Sequence, residues 1–206
     1  MDDHVFDLLR CPECGAVLIQ RAAGSSELPK KEIPAIGERA EAFICCAAEH
    51  CFPVVRGIPR FVPHQAYAES FGIEWNLFAK TQMDHADRED CAPAAQNQTV
   101  NYAGLIATKG RESEETFLQK TGLASHELRG KTVLDAGCGS GRYAAVTSRM
   151  GAQVFAVDLS MAVEACRQNL GHRSNVYVLQ ADLHHLPFAP DSFDIIFSIG
   201  VLHHTP

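Results

Sequence analysis

The sequence is short of positive charge. Lys and Arg number 18 against 25 Asp and Glu, for a formal net charge of -7. Phosphate contacts demand clustered cations, so the overall balance lends no support to tight non-specific binding of nucleic acid or of acidic membranes, and a small-molecule substrate is favoured. The N-terminus, MDDHVFDLLRCPECG, lacks the basic start and apolar run of a signal peptide. No segment has the apolar length needed to span a bilayer. There is also no internal repeat and no low-complexity tract. From these absences a soluble cytoplasmic protein without repeat architecture is expected. With 46% apolar residues, its 206 residues hold one ordinary domain or two small ones.

What is present begins with cysteine. Of eight, five (Cys11, Cys14, Cys45, Cys46 and Cys51) lie in the first quarter, two of them in CPEC. In a reducing compartment that clustering points to metal before cystine. Within LRCPECGAVL the Pro and Gly shape a tight turn that aims two thiolates at one point, as a tetrahedral zinc ion requires. A second pair is expected from a later hairpin, FICCAAEHCF, which offers Cys45, Cys46, His50 and Cys51 for two places. Cys46 and His50, with three residues between them, are the favoured pair beside Cys11 and Cys14, with Cys45 or Cys51 as substitutes. In so small a unit the ion is expected to be structural, since zinc contributes on the order of 10 kcal/mol to folding in zinc-finger peptides. The polar stretch 21–42 reads as an elongated loop between ribbon strands.

The second concentration of signal is TVLDAGCGSGR, from Thr132 to Arg142. A short apolar run ends on Asp135, and Gly137, Gly139 and Gly141 then alternate before a helix-forming stretch. Small residues at that spacing let the backbone turn sharply and approach a ligand at a helix N-terminus. The usual dinucleotide fingerprint has its third Gly where this chain has Arg142, which argues against NAD or FAD. From Lys131 onward strands and helices alternate with short turns, which implies βαβ units and a parallel sheet. Strand two ends in Asp158, about twenty residues past the glycine loop, where a carboxylate accepts hydrogen bonds from ribose hydroxyls. Ser160 is placed to cap the next helix. Strand three runs from Val176 to Gln180 and leads into Asp182 and Leu183, and strand four runs from Ile195 to Ile199 and is followed by Gly200.

Together, Asp135 with G-x-G-x-G, Asp158, Ala181-Asp182-Leu183 with LPFAPDSFD, and Gly200-Val201-Leu202-His203-His204 resemble motifs of the class I S-adenosylmethionine (SAM) dependent methyltransferases, of the ubiquinone-biosynthesis type. The resemblance implies an α/β, Rossmann-like half-domain with parallel strands ordered 3-2-1-4. It implies SAM as cofactor, with Gly137, Gly139, Gly141 and Asp135 at the methionyl part, Asp158 at the ribose, Asp182 and Leu183 at adenine, and Ile199 and Gly200 beside the sulfonium. His204 is the candidate catalytic base. His184 and His185 read as solvated turn residues, Cys138 as a small loop residue and Cys166 as core. A complete domain of this class has seven strands, so the chain is expected to be truncated, with strand four an apolar open edge that a partner protein would cover.

The first sixty residues, ending in FPVVRGIPRFVP, resemble the zinc ribbon of small methyltransferase-activator proteins. A similar ribbon opens a family of ribosomal RNA guanine methyltransferases. The organisation expected is therefore a β-rich zinc ribbon at 1–63, a helical connector at 64–130 and the SAM-binding half-domain at 131–206. The leading functional expectation is methyl transfer to a small molecule. The alternatives are a ribosomal RNA methyltransferase and a non-catalytic partner of another methyltransferase. In the connector, Tyr67, Phe71, Trp75 and Phe78 recur at helical spacing, interrupted by Gly72. They either pack a helix on the next domain or, as in similar methyltransferases, place Phe71 and Trp75 as a lid over the donor. Asp84 to Gln98 reads as a mobile loop, Glu112 to Thr121 and Ser125 to Leu128 as helices, and Cys91 has no assigned role.

Overall fold

Short apolar runs bounded by glycine turns build the central sheet: β5 (Thr132–Ala136), β6 (Gln153–Asp158), β7 (Val176–Gln180) and β8 (Ile195–Phe197). In the computed structural model, which describes residues 3–25, 28, 40–62, 69–84, 87 and 111–204, these strands are all parallel and ordered β7-β6-β5-β8. That order is the expected 3-2-1-4. Helix α4 (Arg142–Arg149) joins β5 to β6, and α5 (Ala162–Leu170) joins β6 to β7. Strand β8 is shorter than expected, ending at Phe197 instead of Ile199. Among the described residues it has one neighbour, and Ile196 on it is 64% exposed.

The sheet alternates between two cores, as the period-2 geometry of a strand dictates. Val133, Val154, Ala156, Val176, Val178 and Phe197 join a cluster with residues of α4 and α5. Leu134, Ala136, Phe155, Val157 and Leu179 point the other way, into a cluster that contains Val5, Leu9, Leu18, Ile44 and Phe61 from the N-terminal unit. That unit consists of α1 (Asp3–Leu8), which the sequence did not announce, and an antiparallel sheet of β1 (Ile19–Ala22), β2 (Ala42–Cys45), β3 (Cys51–Val55) and β4 (Ile58–Pro59) in that order. Most of the expected loop at 26–39 lies outside the described residues, whereas residues 19–22 form β1.

The two sheets are also joined through their backbones. Phe61 N–H donates to the Gln180 carbonyl at 2.8 Å, and Arg10 N–H donates to the Pro187 carbonyl at 2.9 Å. The chain between β7 and β8 contains no helix and lies against the N-terminal unit through a bridge between Leu9 and Phe188. Phe155 anchors that contact, with the rings of Phe188 and Phe193 at 5.6 and 5.4 Å.

In the connector, α2 (Glu69–Leu77) runs through Gly72 without a break. Gly72 is buried against the start of α5, where a Cβ would lie 2.8 Å from Met161 Cβ, so the glycine serves close packing instead of interrupting the helix. Helix α3 (Glu112–Thr121) and a 3-10 turn (Ser125–Leu128) coincide with the expected helices. The mobile-loop expectation for 84–98 fails at its start. Asp84 is buried and accepts the Ser113 and Glu114 N–H groups, capping α3. Asp87, 1% exposed, ion-pairs with Arg149 and Arg173. Tyr67, Cys91 and the rest of that stretch lie outside the described residues, as does the side chain of Phe71.

Asp87 is the buried carboxylate that Arg149 and Arg173 share, and although Arg149 keeps Asp84 and Glu114, Arg173 loses this ion pair, so Asp87→Ala should destabilise the chain by about 3 kcal/mol. Lys131→Ala, which breaks a pair whose side chains are 47% and 42% exposed, should change stability by no more than about 0.5 kcal/mol. Urea denaturation of both variants checks the contrast, and equal midpoints would refute the structural role of Asp87.

Candidate functional site

The glycine loop follows from two constraints at the end of β5. Gly137 and Cys138 both donate N–H groups to the Val157 carbonyl, at 2.7 and 2.9 Å, which folds the loop over the tip of β6. Gly137 has φ +91°, and a Cβ there would lie 2.3 Å from Val201, so only glycine permits the loop to touch the chain leaving β8. Gly141 also has φ +91° and faces Leu170 and Cys166 of α5, where a Cβ would come within 2.7 and 2.9 Å. The third glycine of the motif thus packs helix against loop.

Above this loop lies a cleft of ≈ 380 Å³. Of the residues expected at a donor site, Gly137, Gly139, Asp158, Leu183, Ile199 and Gly200 line it. Asp135 and Gly141 stand behind the lining. So does Asp182, whose carboxylate accepts the His184 N–H at 2.9 Å and shapes the turn after β7. His184 and His185 are exposed on that turn. His204 belongs to a 3-10 turn (Leu202–His204) that follows the cleft-lining Val201, and its side chain lies outside the described residues. Cys138 lines the cleft and Cys166 is core.

The connector brings Trp75 to the cleft, where the lid reading expected it, and adds lining that the sequence did not announce: Glu74 and Gln82, with Arg142 and Tyr143 from α4. The Trp75 ring lies over Gly139, at 3.5 Å from the position a Cβ would take. Asn76 Nδ2, which also donates to the Gly72 carbonyl within α2, donates to the Met161 carbonyl at 2.8 Å and so ties α2 to the start of α5.

Asp158 is held rigidly at the cleft. One carboxylate oxygen accepts the Gly139 N–H at 2.9 Å, and the other accepts both the N–H and the hydroxyl of Ser160, at 2.8 and 2.7 Å. Ser160 in turn accepts the Ala162 N–H at 3.2 Å, starting α5 as its sequence position foretold. Asp135 is buried, and its Oδ2 has no hydrogen-bond partner among the described residues. Burial first, and the negative charge of Asp158 second, push its carboxyl up from 3.8 to about 8, against the opposing pull of the Ala144 N–H at the start of α4.

A second cluster belongs to the N-terminal unit, with Cys11 and Cys46 packed in the core shared with the parallel sheet. Cys11, Cys14, Cys46 and His50 bring one ligand atom each to within 4.8 Å of one another. Cys11 Sγ is 3.4 Å from His50 Nδ1, Cys46 Sγ is 3.6 Å from the same nitrogen, and the Cys14 and Cys46 sulfurs are 3.8 Å apart. Metal–sulfur bonds of ~2.3 Å in a tetrahedron set ligand atoms about 3.8 Å apart, so the donor set and its spacing fit a single ion. The protein environment treats the thiols unequally: burial pushes Cys11 up to about 12, and the Ala16 N–H with His50 brings Cys14 down to about 7. Cys45 and Cys51 are not substitutes, because they form a disulfide. They stand directly opposite each other in the β2–β3 pairing, a register that spacing alone could not reveal.

The raised Asp135 carboxyl has a signed consequence. The folded state holds this proton more tightly than the unfolded chain, so its stabilising effect is complete below pH ~4 and is lost as pH rises to about 8. Thermal melts of ligand-free wild type and Asp135→Asn should therefore show the variant gaining relative stability across that window and no further gain above it. A difference independent of pH would refute the assignment.

Residues 134–206 match the family described as a methyltransferase domain. The chain is 34% identical over 154 residues to methyltransferase GfsG of Streptomyces halstedii, covering 68% of this chain and 54% of that protein. It is 36% identical over 88 residues to malonyl-[acyl-carrier protein] O-methyltransferase of Pseudescherichia vulneris, covering 43% and 33%. To tRNA U34 carboxymethyltransferase of Desulfotalea psychrophila it is 34% identical over 85 residues, covering 38% and 26%. The chain thus spans from about a quarter to about a half of the length of these relatives. The glycine loop and most of the cleft lining lie within the segment that matches the methyltransferase-domain family.

Proposed function

We propose that the cleft binds S-adenosylmethionine and that the protein transfers its methyl group to a small-molecule acceptor. The observation that carries this reading is the convergence of Gly137, Gly139, Asp158, Leu183 and Gly200 on one cleft, backed by a buried Asp135 oxygen that has no hydrogen-bond partner among the described residues. A cationic ligand is what such an oxygen suits. The bound donor supplies an electrophilic methyl group on a positive sulfonium. The chain's own residues align and enclose it: the Gly137–Gly139 backbone yields room for the methionyl part, Asp158 accepts from the ribose, Leu183 packs on adenine, and Trp75 shields the loop from water. The acceptor enters by Ile199, Gly200 and Val201. The acidic balance of the chain, -7, favours a small molecule over a polyanion.

In the N-terminal unit, Cys11, Cys14, Cys46 and His50 supply a closed set of four protein ligands for Zn2+, as structural sites do. Among the described residues no helix is long and apolar enough to cross a membrane.

Trp75 is the only tryptophan and lines the cleft, which makes it a built-in reporter. Its fluorescence should change saturably on titration with SAM or S-adenosylhomocysteine, and Asp158→Ala should weaken binding about tenfold or more, a loss of ~1.4 kcal/mol. A silent titration together with no calorimetric binding would sink the donor assignment. Transfer of a labelled methyl group to small metabolites, to tRNA and to acyl-carrier protein, by the protein extended to the length of its relatives, decides the acceptor class.

Protein purified without chelator should contain about one zinc per chain. Cys46→Ser should lower that content to below about half, while Cys45→Ser, which opens only the disulfide, should leave it unchanged. Elemental analysis separates the two outcomes, and equal zinc loss in both would contradict the four-ligand set.

A further inference from the structure

Arg60 lies at the exit of the N-terminal sheet, is 7% exposed, and belongs neither to the metal cluster nor to the cleft lining. Its guanidinium is nevertheless spent entirely on the methyltransferase half. One nitrogen donates to Gln180 Oε1 at 2.9 Å and approaches Met161 Sδ at 3.7 Å. The other pairs with Glu164 in the first turn of α5. Gln180 passes the constraint on, because its Nε2 donates to the Leu159 carbonyl at 2.8 Å. Leu159 lines the cleft between Asp158 and Ser160.

The backbone repeats the connection. Phe61 N–H holds the Gln180 carbonyl at the last residue of β7, where the chain turns toward Leu183. Ala181 N–H then holds the Asp158 carbonyl at 3.1 Å. Both lips of the cleft on this side, 158–160 and 181–183, are therefore tied to one residue, Gln180, and Gln180 is gripped by Arg60 and Phe61 of the N-terminal unit.

We infer that Arg60 is a positioning residue for the methyl-donor site: acting through Gln180, it fixes the 158–160 loop in the conformation that presents Asp158 to the cleft. The N-terminal unit is then a structural part of the donor site as well as a cover for the sheet. The fork geometry of guanidinium is essential, since it serves Gln180 and Glu164 at once, whereas an ammonium would keep only one of them. The inference rests on the donor reading above for the ligand, but not for the positioning, which has its own readout.

That readout is amide hydrogen exchange in the ligand-free chain, paired with S-adenosylhomocysteine affinity from Trp75 fluorescence. Arg60→Met and Gln180→Leu should each speed exchange at Gly139, Ser160 and Ala162, whose N–H groups bond within the loop, by about tenfold, while amides of β5 and α4 keep wild-type rates. Both should weaken S-adenosylhomocysteine about tenfold, and the double variant no further, because the two side chains act in series. Arg60→Lys should retain the Glu164 pair and the wild-type melting temperature yet still show the faster loop exchange. Arg56, 3.6 Å from Glu164, keeps that carboxylate paired in Arg60→Met; should that variant nonetheless not fold, Gln180→Leu and Arg60→Lys decide. Wild-type loop exchange in those variants, or a rise spread uniformly over the chain, overturns the proposal. Faster local exchange in a protein that does not bind S-adenosylhomocysteine leaves the positioning role standing and removes the donor reading. Tight binding with unchanged affinity and exchange in the variants does the reverse.

Discussion

Everything in this fold depends on covering both faces of a parallel sheet. Strands whose residues are apolar on both sides cannot leave one face to water, and parallel sheets obtain their cover from crossover helices. Here α4 and α5 cover one face. The connection from β7 to β8 carries no helix, and the opposite face of Leu134, Ala136, Phe155, Val157 and Leu179 is closed by the N-terminal unit, whose Val5, Leu9, Leu18 and Ile44 share the same cluster. The dependence is mutual. A four-stranded sheet with strands of two to five residues is too small to bury much apolar surface by itself, so it depends on the neighbouring sheet for its core.

The same shared core explains why the cleft is shaped by elements distant in sequence. Asp158 and the glycine loop come from the strand–helix turns, as the general rule for ligands at the carboxyl ends of parallel strands requires. Trp75 and Gln82 come from the connector, and Arg142 bridges that connector by donating to Ser113 at 3.0 Å and Gln82 at 3.4 Å. The buried ion network of Asp84, Asp87, Glu114, Arg149 and Arg173 locks α3 and the end of α2's connection onto α4, so the lid side of the cleft is anchored by charge where the sheet side is anchored by apolar packing.

Legibility in the sequence followed the range of the physics involved. The sheet order, the glycine loop and the close grouping of Cys11, Cys14, Cys46 and His50 were readable because strand pattern, turn chemistry and ligand type act over a few residues. Gly141 shows the limit: its place in the motif suggested ligand contact, but its missing Cβ faces Leu170 and Cys166, a helix contact made only after folding. The disulfide between Cys45 and Cys51 required the β2–β3 register, and the burial of Asp84 and Asp87 required knowing where Arg149 and Arg173 would stand. Arg60 is the clearest case. Its closest side-chain partners, Gln180 and Glu164, lie more than a hundred residues away, and no local pattern encodes an ion pair between two layers.

Two carboxylates near one loop also give the cleft a direction. Asp158 stays fixed by three donors, while burial and, second to it, the charge of Asp158 push the Asp135 carboxyl up to about 8. A positive charge entering the cleft opposes both effects and lowers the Asp135 carboxyl toward its ordinary range, so cation binding and ionisation of Asp135 reinforce each other. On the proposed reading the donor carries a sulfonium that the product has lost. The ionised pair therefore attracts the reactant more than the product, and after transfer Asp135 regains its reason to hold a proton. On that reading, a carboxyl buried behind the glycine loop and beside Asp158 favours the cationic donor over the neutral thioether.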